Sequence, residues 1–383
     1  MTMFAQDTFL YWLENDLLSF AVSVLIAGIL IPKIILIAFR RKLFDEIDER
    51  KIHRGVVPRL GGIAFFPAFL FSLCLIVAIN LRFGSTIMTQ ALDTKLVPIY
   101  FEICAIILLY LVGIADDLIG VRYVAKFVVQ IICAILLACS GMYINDLYGM
   151  LWLHELPIWL AWIFSILVAV YVVNAINLID GIDGLASGLS TIALAFYAIV
   201  FFKGCEFIYS MMAAACAGTL LPFFYYNVFG DATKQRKIFM GDTGALTTGM
   251  VLVFCAIAVM CAKPDFLTVD YNPAIVALSP LIVPCFDVFR VYFHRVKRGR
   301  NPFLPDKCHI HHKLLALGMN QASALLTILG VSIVFIGANV LVSPFTNPNL
   351  IFVGDIIVWT LANVLLTKAI RKREQALGKQ LYD

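Results

Sequence analysis

Asn174-Ala175-Ile176-Asn177-Leu178-Ile179-Asp180-Gly181-Ile182-Asp183-Gly184-Leu185-Ala186-Ser187-Gly188 ends one long apolar run and starts another. Two amides, two carboxylates and three glycines break the hydrophobic pattern here. Unpaired polar groups in an apolar medium cost on the order of several kcal/mol, so such residues are kept for a ligand or a closed network. Asn174 and Asn177 are three apart and share one face of the ending helix. Gly181 and Gly184 let the backbone turn sharply and approach a bound group. Helix capping by Asp180 or Asp183 would account for one carboxylate and leave the other polar groups unexplained.

The apolar runs on either side are typical of the chain. Its 383 residues are 62% hydrophobic and 14% charged, whereas a soluble globule is about half apolar. Eleven segments read as membrane helices, near 17–39, 61–81, 96–115, 123–140, 156–176, 186–202, 208–226, 244–262, 273–293, 322–342 and 348–367. The fold class expected is all-α and polytopic, one integral membrane domain over 1–383 that ends in a basic tail, 368–383. The ten cysteines lie mostly inside apolar runs with no CxxC pair, and read as small buried residues. The first sixteen residues carry Asp7, Glu14 and Asp16 and no cation. Placing them outside and alternating puts 22 of the 29 lysines and arginines on inner segments and four on outer ones. The positive-inside rule then gives an outer N-terminus and a cytoplasmic C-terminus. In the ninth span, Pro280 and Pro284 should bend or break the helix and open a lipid-facing groove.

The inner segments hold the unusual chemistry. The first contains Arg50-Lys51-Ile52-His53, then Pro58-Arg59-Leu60-Gly61-Gly62, where a glycine pair at a helix start suits close anion approach. The next contains Asp116-Asp117, followed by Lys126 and Gln130 on one helix face. Adjacent carboxylates at a membrane boundary need a divalent cation, cationic partners or a shared proton. Asp242 stands between two glycines in Phe239-Met240-Gly241-Asp242, placed to cap a helix or to bind a hard cation such as magnesium. Phe239 is available to stack a base. The last inner loop joins a run of cations to His309-Ile310-His311-His312-Lys313, a composition made for a polyanion such as a diphosphate. Zinc is disfavoured, because four residues cannot easily set three imidazoles round one tetrahedral ion. Carboxylates, amides, guanidiniums and imidazoles on one face suit phosphoryl transfer between a soluble and a lipid substrate.

Five motifs in this order resemble the bacterial polyprenyl-phosphate N-acetylhexosamine-1-phosphate transferases: Arg50 to His53 with Pro58 and Gly61-Gly62; Asp116-Asp117 with Lys126 and Gln130; Asn174 to Gly184; Phe239 to Asp242; and His309 to His312. The resemblance implies that a polyprenyl phosphate attacks the β-phosphate of a UDP-sugar and that UMP leaves. It implies magnesium, with manganese as a substitute, held by Asp242 and Asn177. It places Phe239 on the uracil and Asn174, Asp180 and Asp183 around the nucleotide. It also implies a phosphate contact for Lys126 and a role with the lipid phosphate and in catalysis for Asp116 and Asp117, while Lys51, His53, His309, His311 and His312 are expected from their setting to bind phosphate or sugar.

The muramoyl-pentapeptide branch of that family shows three contiguous histidines followed by an acidic residue. His309-Ile310-His311-His312-Lys313 instead resembles the GlcNAc-1-phosphate branch, most closely the undecaprenyl-phosphate enzymes. The donor expected is UDP-GlcNAc, with UDP-GalNAc and UDP-MurNAc-pentapeptide as alternatives. The product would start a cell-envelope glycan such as lipopolysaccharide, made at the bacterial inner membrane with the site facing the cytoplasm. A second copy of the chain is kept as a partner, and nucleic acid is not expected as one. The rival class is a nucleotide-sugar or lipid transporter, but transporters place ionisable groups near the midplane, at paired broken helices.

Overall fold

Residues Gly241–Ala262 are apolar on every side, and a helix of that kind belongs in the middle of a bundle. In the computed structural model, which describes residues 3–43, 56–262, 271–299 and 308–382, this helix is the core. Leu246, Val251, Phe254, Cys255 and Ala258 are all buried. In chain order the helices are α1 (Met3–Arg41), α2 (Phe65–Arg82), α3 (Thr86–Asp93), α4 (Leu96–Ile119), α5 (Tyr123–Cys139), α6 (Ile158–Ile179), α7 (Leu185–Lys203), α8 (Phe207–Val228) and α9 (Gly241–Ala262). They continue as α10 (Pro273–Leu278), α11 (Ile282–Lys297), α12 (Ile310–Ala316), α13 (Gln321–Val342) and α14 (Pro348–Leu377). Helices α4, α6 and α7 surround α9, and α8 is held between α1 and α7. The outer helices turn Leu, Ile and Val outward, as at Leu25, Ile29 and Ile37 of α1 and Leu326, Val334 and Leu341 of α13. Such a belt needs hydrocarbon to cover it.

Ten helices among the described residues are long and apolar enough to cross a membrane. The sequence reading gave eleven. The difference is α5, whose 17 residues are about 25 Å long at the helical rise, against ~30 Å of hydrocarbon. The first helix also begins earlier than expected. The acidic N-terminal residues read as an outer loop continue α1, and Asp16 is buried with its carboxylate accepting the Ser210 hydroxyl. The ninth span is broken as its prolines require: α10 gives way to a 3-10 turn at Ser279–Leu281, and α11 follows. Asn339 of α13 bridges this break, donating to Ser279 Oγ at 3.1 Å and to Asp355 Oδ2 at 2.9 Å. The basic tail from Lys368 onward extends α14 as helix to Leu377.

Apolar attraction between helices is weak in lipid, so close packing of small residues takes its place. Gly62 lies against Gly244 at the start of α9, where a Cβ at Gly62 would come 2.0 Å from the Gly244 nitrogen. A Cβ at Gly113 of α4 would come 2.4 Å from Thr243 Cα. Gly28 of α1 has open space. We predict that Gly62→Ala lowers stability by at least ~1–3 kcal/mol, because backbone has to move. Gly28→Ala should be neutral or slightly stabilising. Thermal unfolding in detergent, followed on both variants, checks the contrast.

Candidate active site

The site is built on the first turn of α9. Four N–H groups at a helix start lack intrahelical acceptors. Here a side chain from another helix supplies acceptors: Asp117, near the end of α4, accepts the Asp242 N–H at 2.7 Å, the Thr243 N–H at 3.0 Å and the Thr243 hydroxyl at 2.5 Å. Gly241 makes the approach possible. Its φ is +71°, and a Cβ there would lie 2.2 Å from the Arg59 carbonyl oxygen and 2.6 Å from Asp117. Alongside runs the 58–62 segment. Gly61 and Gly62 donate to the Phe239 and Met240 carbonyls, both at 2.9 Å, and Phe239 donates to the Pro58 carbonyl at 2.9 Å. The glycine pair therefore pins the backbone ahead of Asp242, and its N–H groups are not open to an anion as the sequence reading expected. Lys51 and His53, from the same motif, lie outside the described residues.

The two adjacent aspartates do different work. Asp117 holds the helix, whereas Asp116 accepts the Val121 N–H at 2.7 Å and faces Lys126 Nζ at 3.2 Å. Lys126, near the start of α5, also reaches Asp242 Oδ2 at 2.7 Å and so joins two carboxylates. The Asn177 amide and the Asp116 carboxyl both face Asp242. Asp116, Asp117, Lys126, Asn177 and Asp242 thus meet at one end of the bundle, although they come from four helices. Gln130 lies a turn beyond Lys126 and pairs with Asn174, whose Nδ2 donates to Gln130 Oε1 at 2.5 Å and to the Val170 carbonyl at 2.7 Å. Asn174 is therefore committed to packing α5 on α6. Among the described residues, no three His, Cys, Asp or Glu side chains close round a metal site. Asp242 and Asn177 offer two hard oxygen donors. Magnesium keeps waters and takes substrate phosphate oxygens, so this pair fits magnesium brought with a phosphate substrate.

The 180–184 turn lies beside this cluster. Asp180 is exposed and lies near three other carboxylates. Desolvation first, then the charges of Asp183, Asp242 and Asp117, push its carboxyl up to about 7, with Arg59 opposing. Asp183 is paired with Lys237 at 2.6 Å, both side chains being about nine-tenths buried. Asn227 ties the turn to the Phe239 segment, accepting the Gly184 N–H at 2.5 Å and donating to the Ile238 carbonyl at 2.8 Å. Phe239 itself is half-buried. The sequence reading missed Lys237 and Asn227. Lys237 could have been suspected from its place five residues before Asp242.

The histidine motif closes the far side. His309 Nδ1 lies 2.8 Å from Asp287, a fully buried aspartate of α11 that also accepts Arg290 at 2.8 Å and the Ile310 N–H. His311 is buried against Gly181, where a Cβ would lie 2.2 Å from its Nε2. Neither ring nitrogen of His311 has a hydrogen-bond partner among the described residues. Desolvation first, then His312 and His309, push its imidazole down to about 3, so it is neutral at physiological pH. A neutral ring can meet an anion only as a hydrogen-bonding group. The three rings do not converge on one point: those of His309 and His311 lie parallel with centroids 5.8 Å apart. Tyr382 supports the loop from below, donating to the Cys308 carbonyl at 2.7 Å, and is held there by the Glu374 carboxylate.

A groove of about 1020 Å³ runs along the broken span, between α6, α10, α11 and α14. Phe164, Phe286, Phe289, Phe352 and Trp359 line its length, and Arg290, Lys297, Lys313, Lys368 and Arg371 line one end. None of Asp116, Asp117, Asn177 and Asp242 touches it.

Residues 99–260 match glycosyl transferase family 4. The chain is 30% identical over 320 residues to a probable undecaprenyl-phosphate N-acetylglucosaminyl 1-phosphate transferase of Bacillus subtilis, covering 83% of this chain and 82% of the relative. It is 28% identical to the undecaprenyl-phosphate alpha-N-acetylglucosaminyl 1-phosphate transferase of Haemophilus influenzae, over 86% and 88% of the two chains. Against the decaprenyl-phosphate N-acetylglucosaminephosphotransferase of Mycobacterium leprae it is 28% identical over 91% and 87%. The chain belongs to glycosyl transferase family 4, and within it to the membrane enzymes that transfer sugar-1-phosphates. The resemblance carried by the five motifs holds along most of the chain.

The buried Asp183–Lys237 pair yields a stability prediction. Lys237→Met takes the buried ammonium away from the Asp183 carboxylate and should cost ~1–3 kcal/mol. Adding Asp183→Asn should recover most of that loss. A double-mutant cycle on thermal stability measures the coupling.

Proposed function

We propose that the protein transfers N-acetylglucosamine-1-phosphate from UDP-GlcNAc to undecaprenyl phosphate at the cytoplasmic face of a bacterial inner membrane and releases UMP. The observation that carries this reading is the Lys126 ammonium held between Asp116 and Asp242 beside the Asn177 amide. It sets a fixed cation and two hard oxygen donors at one point, which is what a diphosphate under attack requires. The order His309 to Lys313 and the printed activities of the relatives support UDP-GlcNAc and a polyprenyl phosphate. The excess of lysine and arginine on alternate connections supports a cytoplasmic site.

In this mechanism a lipid phosphate oxygen attacks the β-phosphorus of the donor. The new P–O bond forms as the bond from that phosphorus to the α–β bridging oxygen breaks, and the electron pair leaves on UMP. A phosphate monoester is already ionised at neutral pH, so no residue has to remove a proton. Lys126 draws the diphosphate charge towards Asp242. Asp117 has both oxygens committed to α9 and acts by fixing Asp242 in place, which favours direct in-line attack over an aspartyl-phosphate. Phe239 stacks the uracil, and neutral His311 hydrogen-bonds phosphate or sugar. Magnesium held by Asp242 and Asn177 would neutralise charge on the diphosphate oxygens. The groove takes the polyprenyl chain.

The test is UMP release from UDP-GlcNAc by purified protein in detergent with undecaprenyl phosphate and magnesium. Release should need both additions and stop with EDTA. Asp242→Asn and Lys126→Met should each lower kcat by at least ~10²-fold. Undiminished turnover in Asp242→Asn would remove the assignment. Faster turnover with UDP-GalNAc or UDP-MurNAc-pentapeptide would change the donor.

A further inference from the structure

We propose that Arg373 and Tyr382, from the end of α14 and the turn after it, are positioning residues for the donor site: they hold α12 by its two ends and so set His311 against the Gly181 turn. The inference rests on the role proposed above for His311 at the donor.

Helix α12 has seven residues, Ile310–Ala316. A helix that short is marginal by itself and keeps its place through outside contacts. Arg373 takes the far end. Its Nη1 donates to the Ala316 carbonyl at 3.0 Å, one of the carbonyls that a helix end leaves without an intrahelical donor. The guanidinium lies on Gly318, where φ is +90° and a Cβ would come 2.1 Å from Nη1, so glycine leaves the room that the arginine fills. Tyr382 takes the near end, its hydroxyl donating to the Cys308 carbonyl at 2.7 Å, just ahead of the helix. Arg290 donates to the same carbonyl at 2.6 Å and continues to Asp287 and so to His309. Between the ends, Lys313 Nζ donates to the Asn363 side-chain oxygen at 3.0 Å and to Thr367 Oγ1 at 3.1 Å, both on α14. It also stands 5.7 Å over the Tyr382 ring.

Tyr382 reaches Cys308 because the chain reverses after α14. Gly378, just past Leu377, has φ +62°. The Glu374 carboxylate then accepts the Leu381 N–H at 2.7 Å and the Tyr382 N–H at 2.9 Å. Arg373 and Glu374 are neighbours, so one turn of α14 anchors both arms of the clamp. Away from the clamp, His311 is buried so close to Gly181 that a Cβ there would lie 2.2 Å from its Nε2. A fit that close passes a shift of the α12 backbone straight to the ring. Hydrogen bonds weaken steeply once their geometry slips, so a loosely held α12 would lower affinity for the group that His311 meets.

The experiment compares wild type, Tyr382→Phe, Arg373→Met, the double variant, Arg373→Lys and, as a control, Gln375→Ala, an exposed residue of the same turn. UMP release is followed against both substrates, and deuterium uptake by the α12 amides is measured without them. Tyr382→Phe keeps the ring and removes the donor. It and Arg373→Met should each raise KM for UDP-GlcNAc about fivefold, the effect of one lost hydrogen bond, with kcat within about twofold. Lys313 keeps its own ties to α14, so the lipid KM should also stay within about twofold. The double variant should raise the donor KM further and speed exchange in α12 by at least ~tenfold. Arg373→Lys keeps a donor for Ala316 and should restore most of the loss, while Gln375→Ala should match wild type. A tail that merely stabilises the fold would lower Tm and kcat and leave the donor KM in place, and that pattern would overturn the proposal. Unchanged exchange in the double variant would overturn it whatever the turnover. Wild type that releases no UMP, with exchange still faster in the double variant, would sink the transferase reading and leave the clamp standing.

Discussion

Both oxygens of Asp117 are bound to the first turn of α9, and the rest of the site is laid out from that contact. It satisfies two N–H groups at the start of the most enclosed helix of the bundle, and a buried helix end cannot go without acceptors. It also fixes the direction in which Asp242 leaves that helix. From there the Lys126 contact follows, then Asp116, and Asn177 approaches from α6. The contact depends in turn on three glycines. Gly241 supplies the left-handed turn, Gly62 admits the neighbouring backbone, and Gly113 lets α4 close on Thr243.

Much of the fold could be read from hydropathy, because a bilayer leaves few alternatives to apolar helices. The break in the ninth span could be read from Pro280 for the same reason. The extent of α1 could not. Asp16 looks like a loop residue, yet it is buried with the Ser210 hydroxyl, 194 residues away, on its carboxylate. Helix α5 is the borderline element: its apolar run is clear, and its 17 residues lie at the short end of the spanning range.

The residues of the site were legible as types and less so as roles. Asp116 and Asp117 are neighbours in sequence and were read as a pair, yet one faces Lys126 and the other caps a distant helix. Sequence proximity cannot separate those functions when one partner lies ten residues away and the other 125. Asn174 and Gln130 satisfy each other, which neither position alone discloses. Asp287 was passed over, although an acidic residue inside an apolar span is itself a signal. Its partner His309 was read without it.

Helix α12 turns neighbouring residues to different surroundings. His311 packs on the Gly181 turn while Lys313, two residues on, lines the apolar groove, so a change on one face of this short helix need not disturb what the other face touches.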